Sequence, residues 1–113
     1  MLAPESTADG RGRLLHAFTT AIDLIDAGAD MEFFFDGIGV ECITAFHQRA
    51  NPFSEHYSEL FDRVLPHAKA CGVCAKHYEA EDAARRLGVE LISHDHHRSL
   101  AQFAIDGASI ISF

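Results

Sequence analysis

Positive charge is scarce in this sequence: nine Lys and Arg stand against seventeen Asp and Glu, for a formal net charge of −8. Proteins grip nucleic acid by releasing counterions from phosphates with basic side chains, and here that grip would work against the protein's own field. Nucleic acid is therefore not an expected partner. Long apolar runs are missing too. None approaches the ~20 residues needed to cross a bilayer, and residues 1–13 lack the apolar stretch of about 7–15 residues that marks a secretory signal. The expectation is a cytoplasmic protein with no membrane partner. Cysteine is scarce and odd in number, three in all, which suits a reducing compartment and argues against a disulfide-stapled secreted scaffold. With only three prolines and eight glycines, and with 48% hydrophobic and 23% charged residues, the composition is globular rather than collagen-like or disordered. A chain of 113 residues is expected to form one domain over 1–113, since domains usually run to roughly 100–150 residues.

What is present has the alternation of an α/β protein. Leu14, Leu15, Phe18, Ile22 and Ile25 recur at helical spacing, and Gly28 follows where a helix-ending glycine belongs. Residues 31–35 are apolar except for Glu32 and read as a strand buried on both faces. Val40, Ile43, Phe46 and Ala50 mark a second helix that Asn51-Pro52 should end. Tyr57, Leu60, Phe61, Val64 and Leu65 mark a third, capped by Ser54 and closing at Pro66. Residues 69–71 make a weak strand candidate, because alanine has little β preference. From Cys74 to Leu87 the composition predicts one helix stopping at Gly88. Residues 89–93 read as a strand, 94–97 as a histidine-rich loop, 100–104 as a brief helix and 108–113 as a β-branched closing strand, a β-α-β unit that implies parallel neighbours. An opening strand has only residues 1–3 to form it, so it is either very short or partly missing.

Chemistry concentrates at Cys71-Gly72-Val73-Cys74, placed where a strand hands over to a helix. The amides of a first helical turn are unpaired and partly positive, so a thiol there is favoured as thiolate, the species that attacks disulfide or sulfane sulfur. Lys69, Lys76 and His77 lie close enough in sequence to add positive potential. The plain alternative is that both cysteines are small packing residues. A C-x-x-C pair is also half of a zinc site, with His94, His96 and His97 as the other candidates, but their spacing departs from the usual second pair. No metal or cofactor is assigned. In a parallel sheet these histidines open at the same edge as Cys71. Cys42 falls on the second helix beside Ile43 and reads as core, while Asp36-Gly37-Ile38-Gly39 reads as a tight connection because it lacks the third glycine of a dinucleotide fingerprint. His16, His47, His56 and His67 lie on or beside helices as solvent-facing or capping groups.

The stretch Phe33-Phe34-Phe35-Asp36-Gly37-Ile38-Gly39-Val40 resembles the strand and following Gly-Val turn of DsrE/DsrF-like and TusD-like sulfur-relay proteins. Ala70-Cys71-Gly72-Val73-Cys74 resembles the place where that family carries its persulfide-bearing cysteine, and Leu100-Ala101 with residues 108–113 resembles its closing helix and strand. The resemblance spans about residues 14–113. It implies a three-layer α/β/α sandwich around a mostly parallel, about five-stranded sheet, assembled as a homo-oligomer or a hetero-oligomer with related subunits. By position Cys71 matches the family's active cysteine.

Three functions follow as expectations. In the leading one, Cys71 accepts a sulfane sulfur as a persulfide from a donor protein and passes it to an acceptor, with Cys74 as the thiol that resolves it, which makes the chain a sulfurtransferase of the carrier type. The second is a C-x-x-C dithiol oxidoreductase of thioredoxin type. Element order opposes it, because about seventy residues precede Cys71 and none of Pro4, Pro52 or Pro66 follows the pair. The third is a non-catalytic oligomeric subunit whose cysteines only pack and whose aromatics, Phe33 to Phe35 with Phe53 and Tyr57, serve core or interface.

Overall fold

Thr7 opens the first helix by accepting the Gly10 N–H on its side-chain oxygen at 3.0 Å. The computed structural model describes residues 7–49, 51–92 and 111. Helix α1 runs Ala8–Asp26, six residues earlier than the apolar stripe announces. Its polar first turns are held by the Thr7 cap and by an Asp9–Arg13 ion pair one turn apart. Gly28, at φ +78°, closes it as expected. Strand β1 (Phe33–Phe35) follows, then a 3₁₀ turn (Gly37–Val40) and α2 (Glu41–Gln48). Next come α3 (Pro52–His56), α4 (Ser58–Val64), a second 3₁₀ turn (Leu65–His67) and β2 (Ala68–Cys71). Helices α5 (Gly72–His77) and α6 (Glu81–Leu87) lead to β3 (Glu90–Ile92).

The three strands form a parallel sheet in the order β1-β2-β3, with Phe35 opposite Ala70 and Cys71 opposite Ile92. Side chains alternate across it, so Phe33, Phe35, Ala68, Ala70 and Leu91 share one face. The helices cover that face. Phe18 of α1 meets Phe33 at 5.6 Å between ring centres, Phe61 of α4 lies 6.3 Å from Phe35, and Phe46 of α2 stacks on Phe61 at 4.6 Å. Ala75, Ala80, Ala83 and Ala84 bring α5 and α6 into the same buried cluster. Their small side chains let these helices approach the sheet where the phenylalanines leave little room.

The opposite face carries Glu32, Phe34, Lys69 and Glu90. Lys69 Nζ lies 2.6 Å from Glu32 Oε1 and 3.6 Å from Glu90 Oε2, a charged clasp across the three strands. Both carboxylates raise the Lys69 pKa above its usual 10.5, the hydrogen bond with Glu32 most of all.

Several expectations are corrected by this architecture. The described residues hold three parallel strands with one helical layer, which establishes the α/β class and parallel pairing but neither a five-stranded sheet nor three layers. Residues 1–3, and most of 93–113, lie outside the described residues; Ile111 is in no strand and is 61% exposed. The first strand is shorter than 31–35 and is not buried on both faces: only Phe35 in it is buried, and the outer face of the sheet bears the charged clasp. Asn51-Pro52 begins a helix instead of ending one. Helix α2 stops at Gln48, where Arg49 turns left-handed at φ 50°, and Asn51 then caps α3 with Pro52 in the first turn. Ser54 belongs to that capping box, its amide donating to Asn51 Oδ1 at 2.8 Å, and does not cap the following helix. Pro66 falls inside a 3₁₀ turn. The single helix expected from Cys74 to Leu87 is two helices that begin at Gly72 and break at Glu79, φ 57°. Phe53 and Tyr57 are half-buried against the core. Among the described residues no helix is long and apolar enough to cross a membrane.

The core and the caps differ in weight. Phe18→Ala, which empties a fully buried site, is expected to cost about 3–5 kcal/mol. Asn51→Ala, which removes one cap, should cost about 1 kcal/mol. Equilibrium urea unfolding of both variants measures the two values.

Candidate functional site

Register builds the site. Since Phe35 pairs with Ala70 in parallel strands, the next residues, Asp36 and Cys71, emerge together at the C-terminal edge of the sheet, where open α/β sheets place their ligand sites. Cys71 ends β2 and is the N-cap of α5, so the chain turns there at φ −67°, ψ 118°. That turn brings Cys74, one helical turn on, back over it. The Cys74 N–H donates to Cys71 Sγ at 3.4 Å. The Cys74 thiol donates to Asp36 Oδ1, also at 3.4 Å, while the same oxygen accepts the Gly37 N–H at 2.8 Å. Gly37 adopts φ +54°, a left-handed turn that glycine enters without strain.

Cys71 Sγ, Cys74 Sγ and an Asp36 carboxylate oxygen all lie within 4.8 Å of one another. Cys71 is 0% exposed, whereas Cys74 and Asp36 are half-buried. The cluster thus has a closed inner end and a more open outer one. Burial pushes the Cys74 pKa from the usual 9.0 up to about 12, helped by its hydrogen bonds with Cys71 and with Asp36 and opposed by the Gly37 backbone.

The structure brings together both cysteines singled out in the sequence and places them at the expected strand-to-helix junction. Cys71 keeps the amide contact expected of it but lies out of solvent. The basic residues near it in sequence are directed elsewhere: Lys69 holds Glu32 and Glu90, and Lys76 and His77 are exposed in the last turn of α5. A surface hollow lined by Lys76, Glu79, Glu81, Asp82 and Arg85 contains neither thiol. Cys42 is buried in the hydrophobic core, as its helical neighbours imply. His94, His96 and His97 lie outside the described residues. Asp36 is the member that sequence reading missed. Its signal was there, because an acidic residue ending a strand beside a parallel, cysteine-bearing strand must share that strand's edge.

Compared with known proteins, the chain matches no family model, no curated protein and no solved structure.

A raised thiol pKa has a definite sign. The unfolded chain releases this proton near pH 9.0 and the folded chain near 12, so the thiol favours folding fully below 9.0 and that contribution is lost as pH climbs toward 12. Iodoacetamide modification of Cys74, followed by peptide mass spectrometry, should accelerate beyond pH 9 in the native protein and level off near 9 in urea. Asp36→Asn should move the native profile to lower pH. A native profile already flat at pH 9 would contradict the proposed environment.

Proposed function

We propose that this protein is a thiol-based sulfur carrier in which Cys71 accepts a sulfane sulfur and Cys74 resolves it. The observation that supports this reading is the pairing of two thiols and a carboxylate at the C-terminal edge of a parallel sheet. Cys71, as thiolate, attacks the outer sulfur of a donor R–S–SH. The donor S–S bond breaks, R–S⁻ leaves, and Cys71–S–SH forms. The Cys74 N–H pointing at Cys71 Sγ supplies a donor to the charged sulfur. Cys71 is fully buried, so a donor reaches it from the half-buried Cys74 and Asp36 side.

Two fates follow for the persulfide. An acceptor thiolate takes the outer sulfur and returns Cys71 as thiolate. Alternatively, Cys74 attacks the inner sulfur and expels the outer one, the Cys74 proton leaving with the sulfide as H₂S. That step reduces the sulfane sulfur to sulfide and oxidises the pair to a disulfide, which a thiol reductant then reopens.

The resemblance to DsrE/DsrF-like and TusD-like proteins points the same way. This reading takes over the family's five-stranded, three-layer architecture, of which three parallel strands and one helical layer lie within the described residues. It also takes over assembly with a second copy or related subunits, separate donor and acceptor proteins, and a reducing cytoplasm in which both thiols stay available.

Incubation of the reduced protein with a polysulfide donor, followed by intact-mass measurement, should show one added sulfur. Cys71→Ser should abolish the adduct, and Cys74→Ser should retain it longer than the parent protein because the internal release of sulfide is lost. An adduct that persists unchanged in Cys71→Ser overturns the reading. Rapid disulfide reduction with no sulfur adduct would identify a dithiol oxidoreductase in its place.

A further inference from the structure

We infer that Asp36, Cys71 and Cys74 form a binding site for a soft divalent cation of the zinc class, with two sulfur ligands, one carboxylate oxygen and a fourth position open on the Cys74 and Asp36 side. The inference does not rest on the sulfur-carrier reading. Its basis is the fit between this donor cluster and tetrahedral coordination. Zinc bonds of about 2.3 Å to sulfur and about 2.0 Å to oxygen, at the tetrahedral angle, put sulfur and oxygen about 3.5 Å apart and two sulfurs about 3.8 Å apart. The Cys74 Sγ to Asp36 Oδ1 separation is 3.4 Å, and all three donor atoms lie within 4.8 Å of one another.

The surroundings are those of a ligand set already oriented. The Gly37 N–H holds the Asp36 carboxylate at 2.8 Å, and the Cys74 N–H points at Cys71 Sγ. Outer contacts of this kind fix ligand direction and stabilise a metal-bound thiolate. Two segments distant in sequence converge to make them: the 3₁₀ turn after β1, and the junction of β2 with the first turn of α5. Two thiolates select zinc, cadmium or cobalt over magnesium and calcium, whose preferred ligands are all oxygen. On binding, the cation takes both sulfurs as thiolates and their protons pass to solvent; no electrons move. Half-exposure of Cys74 and Asp36 leaves the entry path on the open side. Because the metal occupies both sulfurs, the metal-bound and persulfide forms exclude each other.

Cobalt(II) titration of the reduced full chain tests the site. The expected result is a near-ultraviolet thiolate-to-cobalt charge-transfer band with visible tetrahedral bands, saturating at one equivalent and displaced by zinc(II). Zinc(II) should also protect Cys74 from iodoacetamide. Cys74→Ser, which leaves one of the two thiolate ligands, should remove at least about half of the charge-transfer intensity. Losing even an outer-shell partner of a metal ligand costs about 10–100-fold in affinity, so Asp36→Asn is expected to weaken cobalt(II) binding by at least about tenfold. Both changed residues are half-exposed, and circular dichroism of each variant establishes that it is folded. No thiolate band with the parent protein, or an undiminished band in folded Cys74→Ser, overturns the site. Equal cobalt(II) affinity in folded Asp36→Asn overturns it as well. Sulfur loading is measured on metal-free protein, so failure of either reading is seen separately from failure of the other.

Discussion

The parallel pairing of β1 with β2 is the constraint on which the rest of the molecule depends. Hydrogen bonding that sets Phe35 against Ala70 decides two things at once. Beneath the sheet it gathers Phe33 and Phe35 over the rings of Phe18 and Phe61. At the sheet's end it delivers Asp36 to the sulfur of Cys74. Core and site are consequences of one alignment.

Composition divides the core into two unlike halves. One is aromatic, with Phe18, Phe35 and Phe46 each set against Phe61; the other is alanine-lined, with Ala70, Ala75, Ala80, Ala83 and Ala84. Large rings contribute apolar area and tolerate wide spacing between elements. Alanines contribute close approach. The site stands on the alanine side, where α5 returns directly over the strand that precedes it. A tight strand-to-helix turn is what lets residues 71 and 74 face each other.

Much of this was legible in the sequence. The stripe of Leu14, Phe18 and Ile22, the helix-ending Gly28 and Gly88, and the thiols at a strand-to-helix junction all follow from spacing and local backbone chemistry. What was illegible has physical reasons. The segment 68–71 looks feeble as a strand by composition, yet it is the central one, because burial between two neighbours outweighs the low β preference of alanine. Asn51-Pro52 suits both a helix end and a helix start, and only the Ser54 partner distinguishes them. The break at Glu79 is invisible because a left-handed residue other than glycine leaves no mark in composition. Asp36 was overlooked because its role depends on a neighbour 38 residues away.

The clasp of Lys69 with Glu32 and Glu90 has a consequence for how the chain finds its alignment. Strands of three and four residues share few backbone bonds, so those bonds alone resist slippage poorly. A slip of β1 by one residue would put Phe34 on the inner face in place of Phe33 and Phe35, so three consecutive phenylalanines oppose such a slip only weakly. A slip of one residue or of two carries Glu32 away from the Lys69 ammonium. In so short a sheet it is the charged clasp on the outer side, more than the run of rings, that marks the observed alignment.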